Sequence, residues 1–184
     1  MITLREEKGT QLTHQEMDEN FKSVMGGHNF LHIQDQKTQG TAGGTFTSGD
    51  WRTRDLNTVL MNTITGASLA TNQITLPAGK YYIEASAPAF YVNGHQAKLR
   101  RITETASDIL VGTAEFCLVG TISGACTTKS RISGIFQISN EVVFELQHRC
   151  EMTKTDNGLS SAAKITTEVY SDIRIWRIGE YVAP

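Results

Sequence analysis

Hydrophobic positions along the chain change period once. Near the start, Met17, Phe21, Val24 and Met25 recur at the i, i+4, i+7, i+8 spacing of one helical stripe. Thr13 and Glu16 stand three apart at its head, the spacing of a capping box. There the Glu16 N–H donates to the Thr13 hydroxyl and the Thr13 N–H donates to the Glu16 carboxylate. Leu12 and Met17 take the hydrophobic-staple positions on either side of that start, and Gly26-Gly27 ends the pattern. The spacing predicts a helix of about three turns, too short to hold alone, so its stripe must pack on something.

Beyond a Gly- and Thr-rich stretch, Gln39 to Gly49, the period becomes two. Tyr81, Ile83, Ala85, Ala87 and Ala89 alternate with Lys80, Tyr82, Glu84 and Ser86. Ile132, Gly134, Phe136 and Ile138 alternate with Arg131, Ser133 and Gln137, and Val142, Phe144, Leu146 and His148 with Val143, Glu145, Gln147 and Arg149. Each run predicts a strand with one face inward. Weaker strand patterns cover 56–64, 69–76, 96–102, 109–119, 165–170 and 173–178. Asn93-Gly94 carries the signature of a two-residue hairpin turn. The prediction is an all-β chain of about eight to ten short strands preceded by one short N-terminal helix, with a β-sandwich, a jelly roll and a barrel all open. No helical crossovers separate the strands, which excludes a parallel α/β sheet. The stretch 109–119 is apolar on both faces, with Leu110, Phe116 and Leu118 against Val111, Cys117 and Val119. That pattern predicts that some sheet surface is buried between subunits.

Composition sharpens this reading. Among 184 residues there are 23 Thr and 16 Gly but 3 Pro, a balance that favours strands and turns. With 17 Lys+Arg against 19 Asp+Glu the net charge is −2, which provides no general attraction to nucleic acid or anionic membranes. No apolar run has the length of a membrane span, and the first residues lack the apolar core of a signal peptide, so the expectation is a soluble chain made in the cytosol. Cys117, Cys126 and Cys150 form no metal-type spacing and are expected to be reduced thiols. Cys117–Cys126 is the nearest alternative pair.

Candidate chemistry is sparse. Gly120-Thr121-Ile122-Ser123-Gly124 places its serine one position late for a nucleophile elbow, and no helix follows. Gly40–Gly44 lacks the Lys-Ser/Thr of a phosphate loop. His28 and His32 are four apart, a metal-type spacing on a helix, but the glycine pair intervenes and a solvated or interface pair is the plainer reading. Carboxylates are scattered, and nothing selects a glycosidase pair. The segment Trp51–Thr58 has an aromatic beside two arginines. It fits either a stacking site for a sugar or base or a structural corner in which Arg54 and Asp55 bond backbone. No catalytic residue, metal or cofactor is assigned, and no enzyme activity is expected.

Two resemblances add to this. Gly9 to Phe21, through Leu12, Thr13, Glu16, Asp18, Asn20 and Phe21, resembles the LT-x-x-E-x-D-x-N-F segment of many bacteriophage tail-fibre and virion proteins. From about Ile33 to Tyr181 the chain resembles phage members of the tumour necrosis factor/complement globular-head jelly roll. That resemblance runs through Trp51 with Arg54-Asp55-Leu56-Asn57, Leu76-Pro77-Ala78-Gly79-Lys80-Tyr81-Tyr82-Ile83, His95-Gln96-Ala97-Lys98-Leu99 and Asp172-Ile173-Arg174-Ile175-Trp176. No Gly-X-Y stalk precedes the domain and no acidic loop supports calcium.

The resemblances imply a virion protein, a tail fibre or fibre tip, with residues 1–30 as a helical attachment segment and 31–184 as a homotrimeric head, a jelly-roll sandwich of about eight to ten antiparallel strands. The head is expected to recognise the host surface non-covalently, a bacterial surface glycan being the candidate ligand. A head-decoration or baseplate part without a ligand is the alternative, and a polysaccharide depolymerase the least favoured. Expected partners are a second and third copy and other virion proteins, with no nucleic acid and no membrane insertion. Tyr82, Phe136, Phe144 and Trp176 are the expected trimer contacts. Leu12, Met17, Phe21 and Val24 form the expected attachment stripe. Ligand recognition is expected on loops, with Asp156 and Asn157 in the polar connection 153–162 and Tyr91 as a stacking face.

Overall fold

Alternating branched and aromatic side chains build twelve strands among the described residues, every ladder antiparallel. A computed structural model describes residues 8–25, 29–103, 105–118 and 126–183, with backbone alone at residue 19 and residues 21–25. One sheet has five strands: β1 (Phe30–Lys37), β3 (Thr58–Asn62), β6 (Gly79–Phe90), β10 (Thr127–Ile138) and β12 (Glu168–Gly179), in the order β10-β6-β12-β1-β3. The other has seven: β2 (Arg52–Thr53), β4 (Ser68–Ala70), β5 (Gln73–Leu76), β7 (Asn93–Arg101), β8 (Ser107–Val111), β9 (Glu115–Cys117) and β11 (Val142–Cys150). Its main path is β4-β5-β11-β7-β8, with β2 on β11 and β9 on β7.

The expected helix is present as α1, His14–Met25. Its capping box forms in both directions. The Thr13 N–H donates to Glu16 Oε2 at 2.7 Å, and the Glu16 N–H donates to Thr13 Oγ1 at 3.2 Å. Lys8 adds an ion pair to the same carboxylate. The Lys8 hydrogen bond, together with the capping box, holds Glu16 down at about 2. Met17 is exposed and Leu12 half-buried. The side chains of Phe21 and Val24, and Gly26, Gly27 and His28 entirely, lie outside the described residues.

The strand pattern departs from expectation in ways that have local causes. Thr71 and Asn72 adopt left-handed φ values of 49° and 66°, which split 69–76 into β4 and β5. The stretch 109–119 breaks into β8 and β9, while 168–179 runs unbroken and Ile165 stays outside it. Asn93-Gly94 is not a hairpin turn. Both residues belong to β7, and the chain passes from one sheet to the other at Tyr91 (φ 58°) and buried Val92.

The two sheets close on an apolar core that takes Leu31, Ile83 and Ile175 from the first and Ile74, Leu99 and Leu146 from the second. Two expected subunit contacts belong to this core. Phe144 is fully buried, and Phe136 packs between it and Tyr81, with ring centroids at 5.5 and 5.6 Å. The reason is a choice that periodicity leaves open. Ile135 and Phe136 are both apolar neighbours on β10, and the fold turns the phenylalanine in and leaves Ile135 57% exposed.

A smaller core of Phe46, Ala89, Val92, Cys117 and Cys150 surrounds two buried histidines. All three cysteines are free, Cys126 at the surface. His95 Nδ1 and His148 Nε2 share a hydrogen bond at 2.9 Å, and His95 Nε2 meets Thr128 Oγ1 at 2.6 Å. Phe46 covers His148 with ring centroids 4.6 Å apart. Burial pushes His95 down to about 4 and His148 well below the ordinary value. The Arg54 charge acts on both in the same direction, while Glu115 opposes it at His95.

A pH dependence follows. Above about pH 6.5 both imidazoles are neutral whether the chain is folded or not. Below it the unfolded chain takes up protons that the folded pair resists. Stability then falls by about 1.4 kcal/mol per pH unit for each histidine until its folded value is reached. The depressed carboxylates act in the same direction, but only below about pH 4.5, while burial raises Asp35 and gives it the opposite sign. Urea midpoints should therefore drop between about pH 7 and pH 5, and His95→Gln should flatten the slope. A flat wild-type profile contradicts this assignment.

Candidate functional site: a sheet face and a loop hollow

Two surfaces carry features that the interior packing does not explain. The first is the outer face of the five-stranded sheet. Cross-strand register places Phe30 opposite Trp176, Trp176 opposite Tyr82, and Tyr82 opposite Ile135, one apolar row across β1, β12, β6 and β10. Ring centroids along it are 4.9 Å (Phe30–Trp176) and 5.5 Å (Tyr82–Trp176). Met61, 52% exposed, stands in the neighbouring row beside His32. Tyr82 and Trp176, both expected subunit contacts, thus stand together on one face. Phe30 and Ile135 belong with them and were absent from that expectation, although Ile135 is the other member of the apolar pair beside Phe136.

Below the aromatic row the same face turns polar. His32 Nε2 lies 2.9 Å from Asp172 Oδ2, Gln34 donates to the same oxygen, and Arg174 Nε stands 3.2 Å from Asp172 Oδ1. Burial works against this charge, but the hydrogen bonds from His32 and Gln34 outweigh it and hold Asp172 below the usual carboxylate range. Of the histidine pair read from the sequence, His32 is therefore taken up by its hydrogen bond with Asp172. Tyr82 donates to Glu84 at 2.8 Å and shares a 3.1 Å contact with Ser133. A depression of about 500 Å³ runs along this region, between Glu84, Arg131 and Arg174.

The second surface is built by the connection after β11. It is a fixed structure and not a free loop. Phe46 and Lys154 form a two-way backbone bridge, the Gly43 N–H donates to Ser160 O at 2.9 Å, and the Phe90 N–H donates to Gly158 O at 2.9 Å. Gly158 approaches so closely that a Cβ would stand 2.4 Å from Lys154 O, and one on Gly43 would stand 2.8 Å from the Leu159 carbonyl carbon. Only glycine fits at either place. Asp156 and Lys164 hold left-handed φ values of 66° and 64°.

Two charged side chains fasten this connection. Arg54 is fully buried. Its Nε donates to Ser171 Oγ at 3.0 Å, Nη1 to Pro88 O at 3.3 Å and Nη2 to Leu159 O at 3.2 Å. Burial pushes its guanidinium down to about 10, opposed by the negative charge of Asp35. Glu168 accepts from the N–H groups of Gly40, Ala163 and Lys164 at 2.9, 2.8 and 2.7 Å, which hold its carboxyl below the ordinary range. Between these anchors lies a hollow of about 360 Å³ lined by Gly40, Ala42, Lys154–Asn157, Ser161, Ala162 and Lys164. Asp156 and Asn157, the two polar candidates read from the sequence, both line it. Tyr91 does not line it, but lies beside it with Lys154 Nζ 5.8 Å from its ring.

The segment Trp51–Thr58 resolves as a structural corner. Arg54 bonds backbone carbonyls, Asp55 pairs with Lys37 at 3.0 Å, and the Trp51 ring carries Lys98 Nζ at 4.0 Å.

With this geometry in hand, comparison with solved structures decides the fold. Murine APRIL superposes with a TM-score of 0.55 at 10% identity, covering 82% of this chain and 99% of that one. The Eiger TNF protein of S. frugiperda gives 0.55 at 10% identity, over 85% and 96%. The chain has the tumour necrosis factor jelly-roll fold. At this identity the likeness concerns fold. No protein-family model and no curated protein matches the sequence.

Within that jelly roll, Arg54 is the residue on which the hollow depends. Lysine keeps the charge but offers one donor centre instead of a three-pronged fork. Arg54→Lys should leave buried carbonyls unmatched and cost about 1–3 kcal/mol, read from urea unfolding. It should also speed hydrogen exchange across 153–164. Unchanged exchange in that segment would show that Arg54 does not hold it.

Proposed function

We propose that the chain assembles as a homotrimer through the outer face of its five-stranded sheet. It serves as the non-enzymatic head of a bacteriophage tail fibre or fibre tip, presenting the loop hollow to a bacterial surface glycan. The observation that carries the reading is the row Phe30–Trp176–Tyr82–Ile135, three aromatic rings and a 57% exposed isoleucine in register on one sheet face. Apolar patches of that kind on an otherwise charged surface mark contacts with another protein. A charged band with alternating signs lies directly beneath it, which suits a specific contact better than loose adhesion.

Three-fold assembly is the part implied by the resemblance to globular heads, and the virion role by the N-terminal segment. In that segment Leu12, Thr13, Glu16, Asp18, Asn20 and Phe21 match the phage pattern. A capped amphipathic helix ahead of the domain is suited to docking on another virion protein.

Light scattering on the purified chain should return three times the 20.3 kDa protomer mass. Trp176→Glu should yield a folded monomer, since desolvating an unpaired carboxylate in an aromatic contact costs several kcal/mol. A wild-type monomer, or a trimer indifferent to Trp176→Glu, contradicts the interface. Removing residues 1–25, which spares Phe30 and the rest of β1, should leave the trimer intact and abolish incorporation into virions. Incorporation of the shortened chain would point to a head-decoration or baseplate role with other contacts.

A further inference from the structure

We propose that the hollow lined by Lys154–Asn157, Ser161 and Lys164 takes an acidic saccharide, a sugar bearing a carboxylate. The two lysines meet the acid group, and Asn157 and Asp156 accept hydroxyls. This deepens the glycan-recognition reading and rests on it.

Three observations converge here. The first is size. About 360 Å³ lies within the range of small-ligand sites, of the order of 300–1,000 Å³, at its lower end. The second is charge. The chain is net negative, −2, but two lysines and one aspartate line this hollow. Neither Lys154 nor Lys164 forms an ion pair with a carboxylate among the described residues. Glu168 does not use up the lysine charge. It feels Lys164, but its oxygens are taken by three backbone N–H groups. Lys154 rests near the face of Tyr91 and keeps its charge accessible.

The third observation is an unmet acceptor. Asn157 Oδ1 is shielded from solvent and has no hydrogen-bond partner. A buried acceptor left unmatched costs about 1–3 kcal/mol, and a turn of the half-buried Asn157 side chain toward the hollow lets a ligand hydroxyl recover it. Asp156, held left-handed next to it, adds a second acceptor. A ligand with hydroxyls at one end and a carboxylate at the other therefore fits the hollow in one orientation. A neutral sugar leaves the lysines unused, and a simple anion leaves Asn157 unmatched. Because the frame is fixed by Arg54 and Glu168, little ordering is required on binding.

The test is titration calorimetry of the full chain with trigalacturonate, with neutral galactotriose as control and amide NMR shifts locating the contact. Trigalacturonate should saturate, shift the 154–164 amides, and weaken as salt rises. The neutral control should bind at least about tenfold more weakly, and Lys154→Gln, Lys164→Gln and Asn157→Ala should each lose about five- to tenfold with unchanged melting temperature. Equal binding of galactotriose at these amides overturns the acidic ligand and leaves glycan recognition standing. So does trigalacturonate binding that survives both lysine substitutions. Saturation by neither sugar removes the hollow as a saccharide site, while the assembly reading stands or falls separately on light scattering.

Discussion

The fully buried guanidinium of Arg54 holds the architecture together. Arg54 lies between the sheets with its charge out of water, a placement that costs several kcal/mol unless every donor is used. Its backbone N–H donates to Leu146 O on the seven-stranded sheet at 2.8 Å. Its guanidinium reaches Ser171 and the Pro88 carbonyl on the five-stranded sheet and the Leu159 carbonyl of the connection after β11. One residue thereby ties both layers to the connection after β11. Asp35, the buried carboxylate whose field opposes the shift of Arg54, keeps that end of the sandwich from carrying a lone charge. The core also tapers to admit it. Along β6 the inward side chains shrink from Tyr81 and Ile83 to Ala85, Ala87 and Ala89, toward the carbonyl that Arg54 reaches.

The same alternation that builds the core builds the outer face. β6 turns Tyr81 and Ile83 inward and Tyr82 and Glu84 outward, and β12 does the same with Ile175 against Trp176 and Ile173 against Arg174. A jelly roll needs only one side of each sheet for its interior. What the second side carries is therefore informative. Here it carries an aromatic row above a charged band, a surface with the makings of a subunit contact. The loop hollow is built separately, by the connection after β11 together with Gly40 and Ala42.

Much of this was legible in the sequence. The capping box Thr13–Glu16 specified the helix start, and the Tyr81–Ala89 alternation marked β6 and its inward face. Other features were hidden for physical reasons. β1 reads poorly because its third inward position is Asp35, a charge where a strand pattern expects an apolar residue. The inward turn of Phe136 and the outward turn of Ile135 cannot be told from period two when both neighbours are apolar. Phe144 looked like an assembly contact because a core aromatic and an interface aromatic have the same composition. Arg54 was placed at a corner, but its full burial depends on Ser171, Pro88 and Leu159, which lie far away in sequence. Left-handed Thr71 and Asn72 split a strand that hydropathy alone reads as continuous.

The central claim is that copies of the chain meet through the aromatic row of the five-stranded sheet. A crystal structure of the purified full chain tests it most directly. The account predicts a three-fold assembly in which Phe30, Trp176, Tyr82 and Ile135 are buried against neighbouring copies and the hollow at Asn157 stays open to solvent. Copies joined through the seven-stranded sheet, or an assembly that leaves Trp176 in water, would contradict it.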